Sequence, residues 1–252
     1  MENLEEEKEI SKIKYALLWI KAYPVTAIVM AISIILFILV TYYSKVHKES
    51  TGLAILYFGG GVPPLYWKGE VWRLLVNIFH HGSIIHIFFN LYWMYYFGTL
   101  AERFLGKTKY IYFIISCGFF QGIICTLTIE HFAIGLSGLI FAFFGLFLIV
   151  RNQDELIKNI VSPSLIKFLI IFLFLCIPIN LFGLMNIAYI GHFAGIIYGI
   201  IFGFIFYTKP HILKQIGFYV LNIIIVLSLY YLYRPIYNPD WQEWHASTSM
   251  RK

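Results

Sequence analysis

Seven stretches of this chain carry almost no charge, and that pattern most constrains what it can fold into. They cover residues 24–43, 84–100, 109–129, 137–150, 165–179, 187–207 and 216–233. About 20 mostly apolar residues in helical form cross the ~30 Å hydrocarbon core of a bilayer. The fourth and fifth stretches are short and need their flanks to reach that length. Sixty per cent of the residues are hydrophobic and 13% are charged, whereas a soluble domain is nearer ~45–50% apolar. In lipid each backbone polar group must be satisfied internally, which leaves helices or closed barrels. Runs of this length predict an all-α, polytopic transmembrane helix bundle.

The net charge of +6 does not call for nucleic acid, because the basic residues sit between the apolar stretches. With the N-terminus in the cytoplasm, inner segments hold Lys8, Lys12, Lys14, Lys21, Arg103, Lys107, Lys109, Arg151, Lys158, Lys167, Lys209 and Lys214. Outer segments then hold Lys45, Lys48, Lys68, Arg73, Arg234, Arg251 and Lys252. Twelve against seven favours an inner N-terminus under the positive-inside rule, and seven spans put the C-terminus outside. The acidic start and the lack of a small-residue cleavage site argue that the first span is retained rather than a secretory signal. Cys117, Cys125 and Cys176 have neither disulfide-framework nor metal-ligand spacing and read as small apolar fillers. No metal and no cofactor is expected.

Four segments follow: a charged N-terminal segment (1–21), a core (22–208), an additional C-terminal transmembrane helix (209–234) and a polar tail (235–252). The N-terminal segment is either a solvated leader or an amphipathic helix on the membrane surface. The loop from 44 to 77 is the longest connection. It carries Gly59-Gly60-Gly61, Pro63-Pro64 and the aromatics Phe58, Tyr66, Trp67 and Trp72. A flexible linker would be polar and poor in aromatics, so this loop is expected to be structured and to lie partly in the outer leaflet.

Polar groups inside apolar spans are costly, and each is a functional hypothesis. His86 and Asn90 are four residues apart on one face of the second span. Two side-chain donors aimed at one point could stabilise an oxyanion; a polar pair joining two helices is the other reading. Gly135-Leu136-Ser137-Gly138 opens the fourth span. Glycines beside the serine permit a tight turn, and a serine at a helix N-terminus sits among free backbone N–H groups. Phe141, one turn on, could pack against an imidazole. The sixth span repeats Gly191, Gly195, Gly199 and Gly203, a small-residue stripe that lets a neighbouring helix come close. His192 lies beside it. If the neighbour is the fourth span, His192 could reach the Ser137 hydroxyl, and a serine needs such a base to act as a nucleophile. No acidic residue lies in a span to orient that histidine, so a Ser–His dyad is expected. Glu102 and Arg103 are expected at an interfacial helix end.

These pieces together resemble the rhomboid intramembrane serine proteases. The shared pattern is Trp72-Arg73, then His81, His86 and Asn90, then Gly135-Leu136-Ser137-Gly138, then His192 with Gly195 and Gly199. The resemblance implies a six-helix rhomboid core of bacterial type plus a seventh, C-terminal helix, in a bacterial cell membrane. It makes Ser137 the nucleophile and His192 the general base. His86, Asn90 and the Ser137 N–H would form the oxyanion hole, and His81 would tie the first loop to the core. Gly135, Gly138, Phe141, Gly195, Gly199, Trp72 and Arg73 would support the site. Phe141 stands where many members have tyrosine, and Asn77 where some have histidine. The partners implied are the lipid bilayer and membrane-anchored protein substrates, with a small side chain before the cut. Two rival readings are a non-catalytic rhomboid-like binder of membrane helices and a membrane transporter. Pseudoenzymes of the family lack the serine or the histidine, and a transporter would show paired charges or broken helices in matching halves.

Overall fold

The computed structural model describes residues 2–128, 133–183, 187–208 and 211–233, so the expected polar tail at 235–252 lies outside the described residues. Among these residues the secondary structure is entirely helical. Helix α1 (Glu2–Ala22) runs to the break at Tyr23, where Pro24 opens α2 (Pro24–His47). Proline suits the first helical turn because its missing N–H would be unsatisfied there anyway. The loop that follows folds into three short helices: α3 (Thr51–Tyr57), α4 (Pro63–Trp67) and α5 (Trp72–Val76). Next come α6 (Ile84–Trp93), α7 (Thr99–Leu105), α8 (Lys107–Thr126), α9 (Ser137–Val150) and α10 (Glu155–Ile160). The described chain ends with α11 (Pro163–Leu181), α12 (Tyr189–Gly203) and α13 (Ile212–Tyr233). A π-helical turn, Met94–Gly98, joins α6 to α7, and another, Phe204–Thr208, extends α12.

Among the described residues each of the seven apolar stretches falls largely within a helix, but they are not seven equal spans. Four helices among the described residues are long and apolar enough to cross a membrane: Pro24–His47, Lys107–Thr126, Pro163–Leu181 and Tyr189–Thr208. A fifth comes from Trp72–Phe79 with Ile84–Leu105, a pair bent by 94°. Ser137–Gln153 and Ile212–Ile225 are shorter. The shortfall in length is clear at α9, the fourth stretch, which the sequence already marks as needing its flanks. Its 14 residues rise only about 21 Å, short of the ~30 Å core.

That short helix is the centre of the molecule. Leu139 to Phe147 are buried without a break, and an all-round hydrophobic helix belongs inside a bundle. Phe113 and Phe143 stack at 5.3 Å, Tyr110 and Phe143 at 5.6 Å, and Phe97 meets Phe147 edge-on at 5.6 Å. By contrast α11 turns Phe168, Ile171, Phe174 and Leu175 outward, the pattern of a helix facing lipid. Helix α13 packs Phe218 and Tyr219 on Phe206 of the α12 extension.

Candidate active site

Ser137 is the first residue of α9, and the turn before it depends on Gly135. Its φ is +108°, a conformation that glycine adopts without steric cost. There is also no room for a side chain. A Cβ on Gly135 would lie 2.6 Å from His86 Nε2 and 3.6 Å from Asn90 Nδ2. Both nitrogens that share a face of α6 therefore converge on the backbone two residues before the serine. Asn90 Nδ2 donates to the His86 carbonyl at 2.9 Å, which fixes the carboxamide and leaves its second N–H free to point elsewhere.

The other side of the site is a seam between α9 and α12. A Cβ on Gly195 would strike the Gly138 carbonyl oxygen, and one on Gly199 the Ala142 carbonyl oxygen. In return, a Cβ on Gly145 would strike the Ile196 carbonyl oxygen. Backbone meets backbone from both directions, so the glycine stripe of α12 answers a second stripe, Gly138, Ala142 and Gly145, on α9. The four- and three-residue spacing of that second stripe is visible in the sequence, yet sequence reasoning passed over it. The close approach brings His192 Nε2 to 2.8 Å from Ser137 Oγ. Phe141 stacks on the His192 ring at 4.7 Å and 29°, as its position one turn after the serine suggested. His192 Nδ1 is buried without a hydrogen-bond partner. A nitrogen at 2.8 Å can take a proton from a hydroxyl, and the α9 N-terminus supplies backbone N–H groups beside it.

A model of the rhomboid domain matches residues 68–209, more than half of the chain. The chain belongs to the rhomboid family. It is 26% identical over 208 residues to Rhomboid-like protease 1 of Toxoplasma gondii, covering 77% of this chain and 68% of that protein. It is 31% identical over 185 residues to the Rhomboid protease GlpG of Salmonella paratyphi A and of Salmonella typhi, covering 73% of this chain and 64% of each relative. The chain thus spans about two thirds of the length of these relatives. A rhomboid with several apolar helices is an integral, multi-pass membrane protein.

In this rhomboid the first loop is held to the site by Asn77 and Arg73. Asn77 Oδ1 accepts from the Gly61 N–H at 2.8 Å, and its Nδ2 donates to the Gly61 carbonyl at 3.1 Å and to the Tyr66 hydroxyl at 2.7 Å. The Asn77 carbonyl in turn accepts from the Gly135 N–H at 3.1 Å. One residue therefore links the glycine turn of the loop to the turn before Ser137. Arg73 donates to the carbonyls of Leu56 (2.9 Å) and Gly60 (2.6 Å) and pairs with Glu70 at 2.6 Å. Its guanidinium carbon lies 4.6 Å over the Trp72 ring. His81 is buried against His86, with ring centroids 4.9 Å apart, and its Nδ1 lies 3.1 Å from the Phe79 carbonyl.

Two further residues were missed or misplaced by the sequence reading. Glu102 does not stand exposed at an interfacial helix end. It is 3% exposed, and its carboxylate accepts from the N–H groups of Val25 (3.1 Å) and Thr26 (2.8 Å) and from the Thr26 hydroxyl (2.7 Å). From the first turn of α7 it caps α2, where negative charge suits a helix N-terminus. The neighbouring Arg103 does stay at the edge, 2.5 Å from Asp154. Gln121, on α8, reaches the cavity beside Ser137. Its signal was a carboxamide inside an apolar span.

Proposed function

We propose that this rhomboid is an intramembrane serine protease that cuts membrane-anchored proteins with a Ser137–His192 dyad. The observation that carries the reading is the 2.8 Å contact between Ser137 Oγ and His192 Nε2 at the buried start of α9. His192 takes the hydroxyl proton as Ser137 attacks a backbone carbonyl carbon, and the carbonyl oxygen becomes an oxyanion. In this reading His86, Asn90 and the Ser137 N–H donate to it, the arrangement that stabilises such an intermediate; the approach of His86 Nε2 and Asn90 Nδ2 to Gly135 supports it. His192 then gives the proton to the leaving amine. A water molecule, deprotonated by the same imidazole, releases the acyl group and restores the serine. The acylation half and the hydrolysis half thus share one base, and no metal or cofactor is required.

Depth supports the intramembrane part of the reading. Arg103, Arg151 and Asp154 sit around the C-terminal end of α9 and mark one boundary. A rise of about 21 Å from there leaves Ser137 roughly 10 Å short of the opposite boundary of a ~30 Å core. The substrate helix must unwind locally there, since helical carbonyls are already hydrogen-bonded. By charge distribution the N-terminus is cytoplasmic, and the host membrane is proposed to be bacterial.

The test uses purified protein in liposomes with a single-span model substrate, together with fluorophosphonate labelling. Wild type should cleave and label, whereas Ser137→Ala and His192→Ala should do neither while remaining folded. Cleavage by Ser137→Ala at more than a few per cent of the wild-type rate would refute the proposal.

A further inference from the structure

The end of the bundle farther from Ser137 carries positive charge that its own carboxylates do not neutralise. Where α9 finishes, Arg103 pairs with Asp154 at 2.5 Å and Lys158 with Glu155 at 3.1 Å. Glu102 is buried and bonded to the start of α2. Among the described residues Lys109 and Arg151 have no carboxylate partner. These two cations border one tyrosine. Tyr207 lies on the π-helical extension of α12. Lys109 Nζ sits 5.6 Å from the centroid of its ring, and the Phe104 ring meets it at 4.9 Å. Gln153 Nε2 donates to the Tyr207 carbonyl at 3.2 Å, and Arg151 opens the single 3-10 turn that Gln153 closes. Parts of α7, α8, the turn after α9 and the end of α12 thus meet at one place.

The surroundings indicate what neutralises them. Tyrosine with basic side chains is a combination suited to the headgroup level of a bilayer, and the charged residues at this end of α9 mark a membrane boundary. The helix that ends in Tyr207 also exposes Ile197, Ile201 and Phe204, spaced four and three residues apart and therefore on one face. A ligand with an anionic phosphate at one end and acyl chains at the other matches the cations and the apolar face together. A free phosphate would use the cations alone. Phosphatidylcholine carries its own ammonium, which Lys109 and Arg151 repel.

We infer that Lys109 and Arg151, beside Tyr207, form a site for the phosphate of an acidic phospholipid in the leaflet farther from Ser137, with its acyl chains along the exposed face of α12. The planar guanidinium of Arg151 takes phosphate oxygens in a fork, and the Lys109 ammonium acts as a point charge. The site is independent of the proteolytic reading, since it needs neither Ser137 nor His192. Attraction of one basic residue to an anionic lipid surface corresponds to about 5-fold in affinity. Two such residues favour an acidic over a zwitterionic lipid by about 25-fold.

The test is native mass spectrometry of the full chain in detergent, titrated with phosphatidylglycerol and phosphatidylcholine of identical acyl chains. The wild type should retain phosphatidylglycerol at about 25-fold lower concentration than phosphatidylcholine. The double variant Lys109→Gln with Arg151→Gln should lose most of that preference. The double variant Lys158→Gln with Lys167→Gln removes the same charge elsewhere and should keep it. Thermal unfolding in the same detergent checks that both variants are folded. Equal retention of the two lipids by the wild type overturns the inference without any variant. An equal loss of preference in the two double variants also overturns it, because a diffuse positive field would then account for the binding. A third arm adds glycerol phosphate at the concentration of the lipid. It should not displace phosphatidylglycerol, and displacement would overturn the assignment to a lipid in favour of a plain anion site.

Discussion

The seam between α9 and α12 can be tested with a single methyl group. Gly195→Ala places a Cβ on the Gly138 carbonyl oxygen. In a helix interior the same change gains about 1 kcal/mol of intrinsic propensity, so the sign of the outcome depends on whether the collision exceeds that gain. A backbone oxygen cannot rotate out of the way as a side chain can, so the helices must part by about 1 Å or more to restore ordinary contact. Overpacking of this kind costs about 1–3 kcal/mol, which meets or exceeds the propensity gain. The catalytic consequence is larger than the thermal one. His192 sits three residues before Gly195, and a 1 Å displacement of a reacting group costs roughly 100-fold in rate. Gly195→Ala and Gly199→Ala should therefore label with fluorophosphonate about 100-fold more slowly while losing little or moderate thermal stability. Gly203→Ala is the control. Its Cβ would meet Ile149 Cβ at 2.8 Å, a side-chain contact farther from the dyad, so labelling should fall less. Wild-type labelling by Gly195→Ala would refute the claim that this seam sets the distance from His192 to Ser137.

Asn90→Ala should lower kcat more than it raises KM, by on the order of 10–1000-fold, because an oxyanion donor acts chiefly in the transition state; cleavage kinetics on one substrate check this. Asn77→Ala removes three hydrogen bonds to the first loop and should raise protease nicking within residues 51–67 along with a loss of activity, whereas Asn77→Asp, which keeps the acceptor for Gly61, should fall between. Glu102→Ala leaves the Val25 and Thr26 donors unpaired and should cost about 1–3 kcal/mol in a denaturant or thermal series, with Glu102→Gln recovering part of it. Partial burial works against ionisation of Asp154, but the Ile157 N–H and the Arg103 guanidinium outweigh it and hold the carboxyl below its usual range. A depressed carboxyl stabilises above its unfolded pKa and loses that contribution as pH falls through the folded pKa. The stability gap between wild type and Asp154→Asn, about 1 kcal/mol or less for so exposed a pair, should thus be full at neutral pH and close below the carboxylate range.

The sequence alone determined that the chain is a helical membrane bundle, because long uncharged stretches have few other solutions in lipid. It also singled out Ser137, His86, Asn90 and His192, because polar groups in apolar spans stand out against their surroundings. Other features were invisible at that level for a common reason. A hydropathy pattern records how apolar a segment is and says nothing of what it faces. It therefore gave α9 and α11 the same status, although one is the core of the molecule and the other faces outward. Glu102 looked interfacial because the sequence cannot show that the first turn of α2, nearly 80 residues earlier, brings two N–H groups and a hydroxyl to its carboxylate. Asn77 looked like a departure from a motif, while in the fold it joins the first loop to the serine turn. The 2.8 Å between Ser137 and His192 belongs to no local segment. It arises because two helices far apart in sequence offer each other glycine and alanine where any larger side chain would hold them apart, and only tertiary packing brings those small residues into register.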